Sequence, residues 1–594
     1  VGTPLDTFND SALARLFARE RRDGRATWFS LPGGATLYGP GEAADQLYFL
    51  RTGRLGAFRR DEGQEPQFLG VIRPGEPAGE MALIGGMPHS ANLVALRDSE
   101  ILALPRADFF SAAEGDPTVM LELSRLMIQR ARQAQTHAAV GDPSVFGFIA
   151  VEPGAAIRPV VERIGRAMET LGYSVTVEGS ESQSAPTEWF SHVERDHDFV
   201  LYVAEADETA WKHVVGRQVD RLFRVGRGDR LPPGEVPSYA SSPLQTQRLV
   251  DLILLQPADI RQPAGSEAWM QATQAARLFH LRENGMADVQ RIARVLTGQS
   301  VGLVLSGGGA RAYAHIGAIE ALRERGIPID FVGGASMGAV IAAGLAMGWD
   351  DGEMERRIRK AFVESSPVDD IAFPLIAMTR GDKVKARLAE HFGDIQISDL
   401  WLPFFCVSSN LTSGSYQLHR RGELQHALRA SIALPGVLPP VCENGAVLVD
   451  GAVMKNFPAD VMRAFQLGPI IGVDVTRGRS ITDEDVITPP SLWRWFWSGE
   501  WRKGPPIVAL LMRAATVSTG RDLTASREAS DVLITPRLDR IDIRDWKAFA
   551  PAVSAGKLAA SIVLDALERP VADLRRRPSL VERALNARNA PPKA

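Results

Sequence analysis

Cysteine is nearly absent: the 594 residues hold two, Cys406 and Cys442. Two thiols build no disulfide framework, and no Cys/His cluster has the spacing of a zinc site, so the pattern fits a reducing cytoplasm with no metal expected. No excess of one charge sign is present either. A net charge of −4 over this length favours neither nucleic acid nor a strongly anionic surface as partner. The opening VGTPLDTFNDSALARLF lacks a cationic start followed by an apolar core, so no secretion signal is read there. No G-x-x-x-x-G-K-[ST] occurs, which excludes a phosphate-cradling P-loop of that form. The stretch from Phe331 to Trp349 carries no charge and approaches the length of about 20 residues that crosses a bilayer. Five glycines and a serine dilute it, so it reads as a buried strand followed by a helix.

What is present is an ordinary globular composition, 45% hydrophobic and 23% charged, at a length that suggests three or four domains. Residues 299–349 hold two strand–turn–helix units in succession. In the first, Val301-Gly302-Leu303-Val304-Leu305 leads into Ser306-Gly307-Gly308-Gly309-Ala310-Arg311 and a helix pattern from about Ala312. Three consecutive glycines let several backbone N–H groups approach one anion at a helix start, which is what a developing oxyanion needs. The G-x-G-x-x-G spacing of a dinucleotide loop fails at Ala312. In the second unit, Phe331-Val332-Gly333 runs into Gly334-Ala335-Ser336-Met337-Gly338. This is G-x-S-x-G, a serine on a sharp strand-to-helix bend, with Gly334 and Gly338 leaving room for the bend.

A serine nucleophile needs a base. The order Ser, Asp or Glu, then His would require a late histidine, and none follows His426. Downstream lies Val447-Leu448-Val449-Asp450-Gly451-Ala452, an apolar strand ending in Asp-Gly, which taken alone signals a hairpin turn. The combination of triglycine loop, G-A-S-M-G and a later D-G-A resembles the patatin-like phospholipase family, whose members use a Ser/Asp dyad without histidine. The resemblance is closer still to the neuropathy target esterase branch. It is carried by Arg294-Val295-Leu296-Thr297-Gly298, by Asp399-Leu400-Trp401-Leu402-Pro403-Phe404-Phe405, and by Ala430 to Pro440 (ASIALPGVLPP) ahead of DGAVMKNFPAD. Together these span most of residues 290–476.

The resemblance implies Ser336 as nucleophile, Asp450 as general base and Gly307, Gly308, Gly309 and Ala310 as oxyanion loop, with no cofactor. Ala312 stands where the family loop often has glycine; alanine accepts helical dihedrals well and lies past the donors. Arg311 is expected to steady the loop or to face a lipid phosphate.

Residues 1–140 show short β-type runs broken by glycine turns, from Ala35–Tyr38 to Phe68–Ile72, closed by a helix pattern from about Pro117 to Ala138. With Gly41-Glu42 and Pro74 to Ile84 (PGEPAGEMALI), this region resembles a cyclic-nucleotide-binding domain. The family cassette, here with Gly79 and Glu80, implies Glu80 at the ribose hydroxyl and an arginine at the cyclic phosphate, but the position before Ser90 holds His89. A mostly neutral ring with one donor replaces a charged bidentate fork, so nucleotide binding is doubtful and a β-roll serving as an interaction or autoinhibitory module is the better expectation.

Residues 145–262 alternate strand and helix, with strands at Val145–Val151, Tyr173–Val177 and Asp198–Ala204, as in a small parallel α/β domain. No nucleotide loop accompanies them. Residues 263–298 read as a helical connector with Leu278, Leu281, Ile292 and Val295 among its apolar positions. The esterase domain is expected over 299–570, and Arg575-Arg576-Arg577 opens a basic tail, 571–594, expected to be solvated. Within the esterase domain, residues 492–503 place Trp493, Trp495, Trp497 and Trp501 among Arg and Lys. Such a stretch suits peripheral contact at the inner face of a membrane, or a lid packed on the domain.

The fold expected is therefore α/β: a patatin-like esterase domain with a mainly parallel sheet, preceded by a cyclic-nucleotide-binding-like β-roll and a small α/β domain. The function expected is a serine esterase of phospholipase B or lysophospholipase type acting on phospholipid or lysophospholipid. The alternative is a ligand-sensing adaptor that uses the esterase fold for binding.

Overall fold

The computed structural model describes residues 11–59, 67–135, 143–234, 236, 250–365, 370, 372, 376–476 and 520–589. The tryptophan-rich stretch at 492–503 lies outside the described residues. The chain divides into two compact units, residues 1–226 with 233–252 and 578–594, and residues 227–232 with 253–577.

The first unit opens with two four-stranded sheets. Thr27–Leu31, Ser99–Pro105, Gln46–Thr52 and Pro77–Ala78 make one; Thr36–Tyr38, Asn92–Ala95, Leu55–Arg59 and Gln67–Ile72 make the other. The strand pairings in them are antiparallel, in keeping with the short glycine-broken runs. The closing helix runs Pro117–Gln135. A parallel sheet follows in the order Val175–Glu178, Phe199–Ala204, Val145–Ala150 and Arg221–Arg227. Its fully apolar runs are buried along their whole length, as strands covered on both faces must be.

Two expectations are corrected here. Residues 263–298 are not a helical connector: Arg277–Arg282 is a strand between helices Ser266–Thr273 and Met286–Thr297. The i, i+3 spacing of Leu278 and Leu281 fits a helix, but Gln274 in the left-handed region (φ 51) stops one helix and Gly285 starts the next. Nor is the tail a loose solvated end. Residues Leu580–Asn589 form a helix whose first amide, Leu580 N–H, donates to Asp198 Oδ1 at 2.6 Å. Asp198 also takes Arg583 at 3.3 Å, so a buried carboxylate at the helix start organises the segment.

The second unit holds the largest core and an eight-stranded sheet. Five strands run parallel in the order Phe404–Asn410, Phe331–Ala335, Gly302–Leu305, Ile470–Val473 and Val532–Ile534. Ser415–His419 pairs antiparallel with Phe404–Asn410, as does Ala446–Asp450. The turn between Val441–Glu443 and Ala446–Asp450 is made by Asn444-Gly445, both with positive φ, the two-residue hairpin chemistry that Asp450-Gly451 was equally able to supply.

Candidate active site

Strand register brings the serine and the aspartate together. On Phe404–Asn410, Val407 pairs with Ala335 and the next residue, Ser408, pairs with Asp450. Ser415–His419 takes the opposite edge of the same residues, so the serine strand and the aspartate strand share one edge and meet end to end. Ser336 is the first residue after one strand and Asp450 the last of the other. Ser336 Oγ donates to Asp450 Oδ2 at 2.7 Å.

The serine sits at φ 52, ψ −132, a region that a non-glycine residue enters only when its surroundings over-determine it. Those surroundings are tight. A Cβ on Gly338 would lie 2.4 Å from Ser306 O, and one on Gly334 2.6 Å from Leu305 O, so both glycines are needed for the helix Met337–Ala346 to approach the neighbouring strand end. The Ser336 amide donates to Ser431 Oγ at 3.0 Å.

Asp450 is 2% exposed. Burial pushes its carboxyl up to about 6, against a smaller opposing pull from the bonds given by Ser336 Oγ and the Ala452 amide. It therefore titrates where a general base should. Its Oδ1 accepts from Ala452 N at 2.8 Å, capping the short turn Gly451–Val453; Asp450-Gly451 is a cap, not a hairpin. Among the described residues no histidine hydrogen-bonds to either member of the pair. His315 is buried beside the glycine loop, where burial pulls it down to about 4, and it donates from Nε2 to Ser306 O at 2.8 Å.

The four loop amides are not equivalent. Gly307 N–H donates to Asn456 O at 3.2 Å and Ala310 N–H to Ile543 O at 2.8 Å. These two are corrected from oxyanion donors to anchors, because a carbonyl from a distant segment already holds each. Gly308 and Gly309 are part-exposed, and their N–H groups bond to none of the described residues. Gly307 adjoins the serine: a Cβ there would lie 2.9 Å from Ser336 Cβ. Arg311 donates from Nε to Ile541 O at 2.6 Å, which ties the loop to the same segment that holds Ala310. Sequence reasoning missed Ser431, Asn456 and the strap at Ile541–Ile543. Only Ser431 had a local signal, a hydroxyl inside the apolar run ASIALPG, since a buried polar group must have partners.

The Patatin-like phospholipase family model matches residues 303–463, which contain the serine, the loop and the aspartate. Across the whole chain, an uncharacterized NTE family protein of Mycobacterium tuberculosis (strain CDC 1551 / Oshkosh) is 31% identical over 581 residues, covering 95% of each chain. The protein belongs to the NTE family. Human patatin-like phospholipase domain-containing protein 6 is 27% identical over 89% of this chain, and lysophospholipase nte1 of Aspergillus niger is 26% identical over 91%. The chain spans 44% and 42% of those longer proteins. NTE family membership, with a patatin-like domain, makes this chain a hydrolase of phospholipase or esterase type.

The two other models that match are those of a Cyclic nucleotide-binding domain, residues 28–116, and of the Neuropathy Target Esterase family P-loop like domain, residues 167–294. In this NTE family member the cassette glutamate is already engaged: Arg130 gives Nη1 to Glu80 at 2.7 Å and Nη2 to Glu76 at 3.1 Å. His89 is buried and stacks on Tyr38 with ring centroids 3.6 Å apart; burial holds its pKa below the usual histidine value. Gly79 caps the helix Glu80–Gly85 with φ 83, and Ser90 is exposed. The helix Arg158–Thr170 follows the strand Val145–Ala150. The amides at its start, Ile157 and Arg158, donate to the Glu205 carboxylate at 3.1 and 3.0 Å.

Proposed function

We propose that the protein hydrolyses acyl esters of phospholipids or lysophospholipids through Ser336 and Asp450, in the manner of a lysophospholipase or phospholipase B. The observation that carries this reading is the 2.7 Å bond from Ser336 Oγ to a buried carboxylate poised near neutrality. Asp450 takes the serine proton as Oγ attacks the ester carbonyl, and the Gly308 and Gly309 amides receive the oxyanion. Collapse of the tetrahedral intermediate expels the alcohol, which regains the proton from Asp450. Water, deprotonated by the same carboxylate, then releases the fatty acid. With Nε on Ile541 O, the outer edge of Arg311 is left to face the lipid phosphate beside the loop. The enzyme works peripherally at a membrane surface; among the described residues no helix is long and apolar enough to span one.

The test is labelling by a fluorophosphonate probe followed by turnover of a lysophospholipid panel. Fatty-acid release that disappears in Ser336→Ala and Asp450→Asn, with both variants folded, supports the dyad; full activity in either removes it. The adaptor reading draws no support from the cassette, because Glu80 is bonded to Arg130.

A further inference from the structure

The residues that hold the dyad in place come from a third segment. Ser431 ends the helix Leu424–Ser431 and is fully buried. Its Oγ accepts from Ser336 N–H at 3.0 Å and donates to Val407 O at 2.7 Å. Two residues on, Ala433 O accepts from Asp450 N–H at 2.9 Å. The segment 431–433 therefore bonds to the first residue beyond one strand and to the last residue of the other, across the point where the two meet on Phe404–Asn410.

We propose that Ser431 is a positioning residue that fixes the strained Ser336 bend and, with the Ala433 carbonyl, sets the separation of nucleophile and base. The proposal rests on Ser336 and Asp450 being the dyad. Its physical content is specific. Ser336 holds an unfavourable backbone conformation, and one buried hydroxyl is the acceptor for its amide. Remove that hydroxyl and the amide is left unsatisfied in a dry site, so the bend relaxes and Oγ drifts from Asp450 Oδ2. The loss falls on the chemical step, because misplacement of a reacting atom by about 1 Å costs up to ~100-fold in rate. A hydroxyl that served only the core would lower stability and leave the folded enzyme's turnover alone.

The experiment uses the full chain and p-nitrophenyl butyrate, comparing wild type, Ser431→Ala and Ser431→Cys, with Ser336→Ala in parallel. The cysteine variant keeps an atom in the space but accepts hydrogen bonds poorly, so it reads the same loss if the alanine variant does not fold. Expected are a fall in kcat of ~10- to ~100-fold with KM within about twofold. The acid limb of the pH profile should also move upward, because the Ser336 bond that helps hold the Asp450 carboxyl down is weakened. Turnover within about twofold of wild type in a folded variant, a change confined to KM, or an unmoved acid limb overturns the proposal. An active Ser336→Ala instead overturns the dyad, and this inference with it; an inactive Ser336→Ala beside a fully active Ser431→Ala condemns the positioning role alone.

Discussion

The two units treat their polar concavities in opposite ways. In the second, a triglycine turn leaves the Gly308 and Gly309 amides without a partner among the described residues, beside a serine that donates to a buried carboxylate. In the first, the cassette glutamate of the matching cyclic-nucleotide-binding model is engaged by the chain itself, Glu80 by Arg130, and the amides of Ile157 and Arg158 at a helix start are taken by Glu205. Donors without partners near a nucleophile are the mark of a site built for a transition state. Donors and acceptors already satisfied internally are the mark of a scaffold, because a ligand would have to displace a charge-assisted bond before gaining one. The difference between enzyme and scaffold thus lies in which hydrogen bonds are left unmade.

The comparison breaks first at the dyad. Ser336→Ala should lower fatty-acid release by on the order of 10⁶-fold, as loss of a nucleophile does, measured at equal folded protein. Next comes the loop. Gly309→Ala puts a Cβ 2.2 Å from Ile543 O at a position with φ +55, lifting the free donors from their place; a loss of roughly 10²-fold in kcat is expected, comparable to removal of an oxyanion donor.

The third test is of stability. The Asp450 carboxyl is raised from 3.8 to about 6 by burial. Stability linked to it is therefore full below the unfolded value and is lost as pH rises through about 6. At pH 8 the charged form costs about 3 kcal/mol, so Asp450→Asn should be inactive yet more stable by up to that amount in urea titration. In the wild type, turnover should rise with pH through about 6 and level off above it.

Smaller effects should mark the first unit. Arg130→Ala leaves the buried Glu80 carboxylate without its ion pair and should lower stability by about 1–3 kcal/mol. The melting temperature of the wild type should not respond to cyclic mononucleotides, and a clear rise would show that the internal bond yields to ligand. Glu205→Gln weakens an anion at a helix start and should cost only about 0.5–1 kcal/mol, readable as a small Tm shift. A large one would mean that the carboxylate does more than cap the helix.

Much of this was legible in the residues. The buried strands at 301–305 and 331–335, the glycines flanking Ser336 and the aspartate at the end of an apolar run all follow from local rules of side-chain period and backbone space. The doubt raised by His89 was also legible, since its chemistry is wrong for a phosphate wherever the chain places it. What misled was also local: Leu278 and Leu281 keep helical spacing on a strand, and a run of arginines at 575–577 precedes a helix docked through Asp198. The tail's order comes from one carboxylate nearly four hundred positions away, which no window of sequence contains.

The sequence by itself determined which chemistries this protein could carry, because the serine of G-A-S-M-G, the bend that exposes it and the absence of a late histidine are properties of single residues and their immediate neighbours. Only the tertiary structure decided which of them are used. Whether an amide bonds to none of the described residues, as at Gly308, or is already held, as at Gly307, depends on carbonyls brought from far along the chain. The contact of Ser336 with Asp450 likewise depends on a register of one residue along a shared strand. Hydrogen-bond satisfaction is a property of pairs, and the pairs form only when the chain is folded.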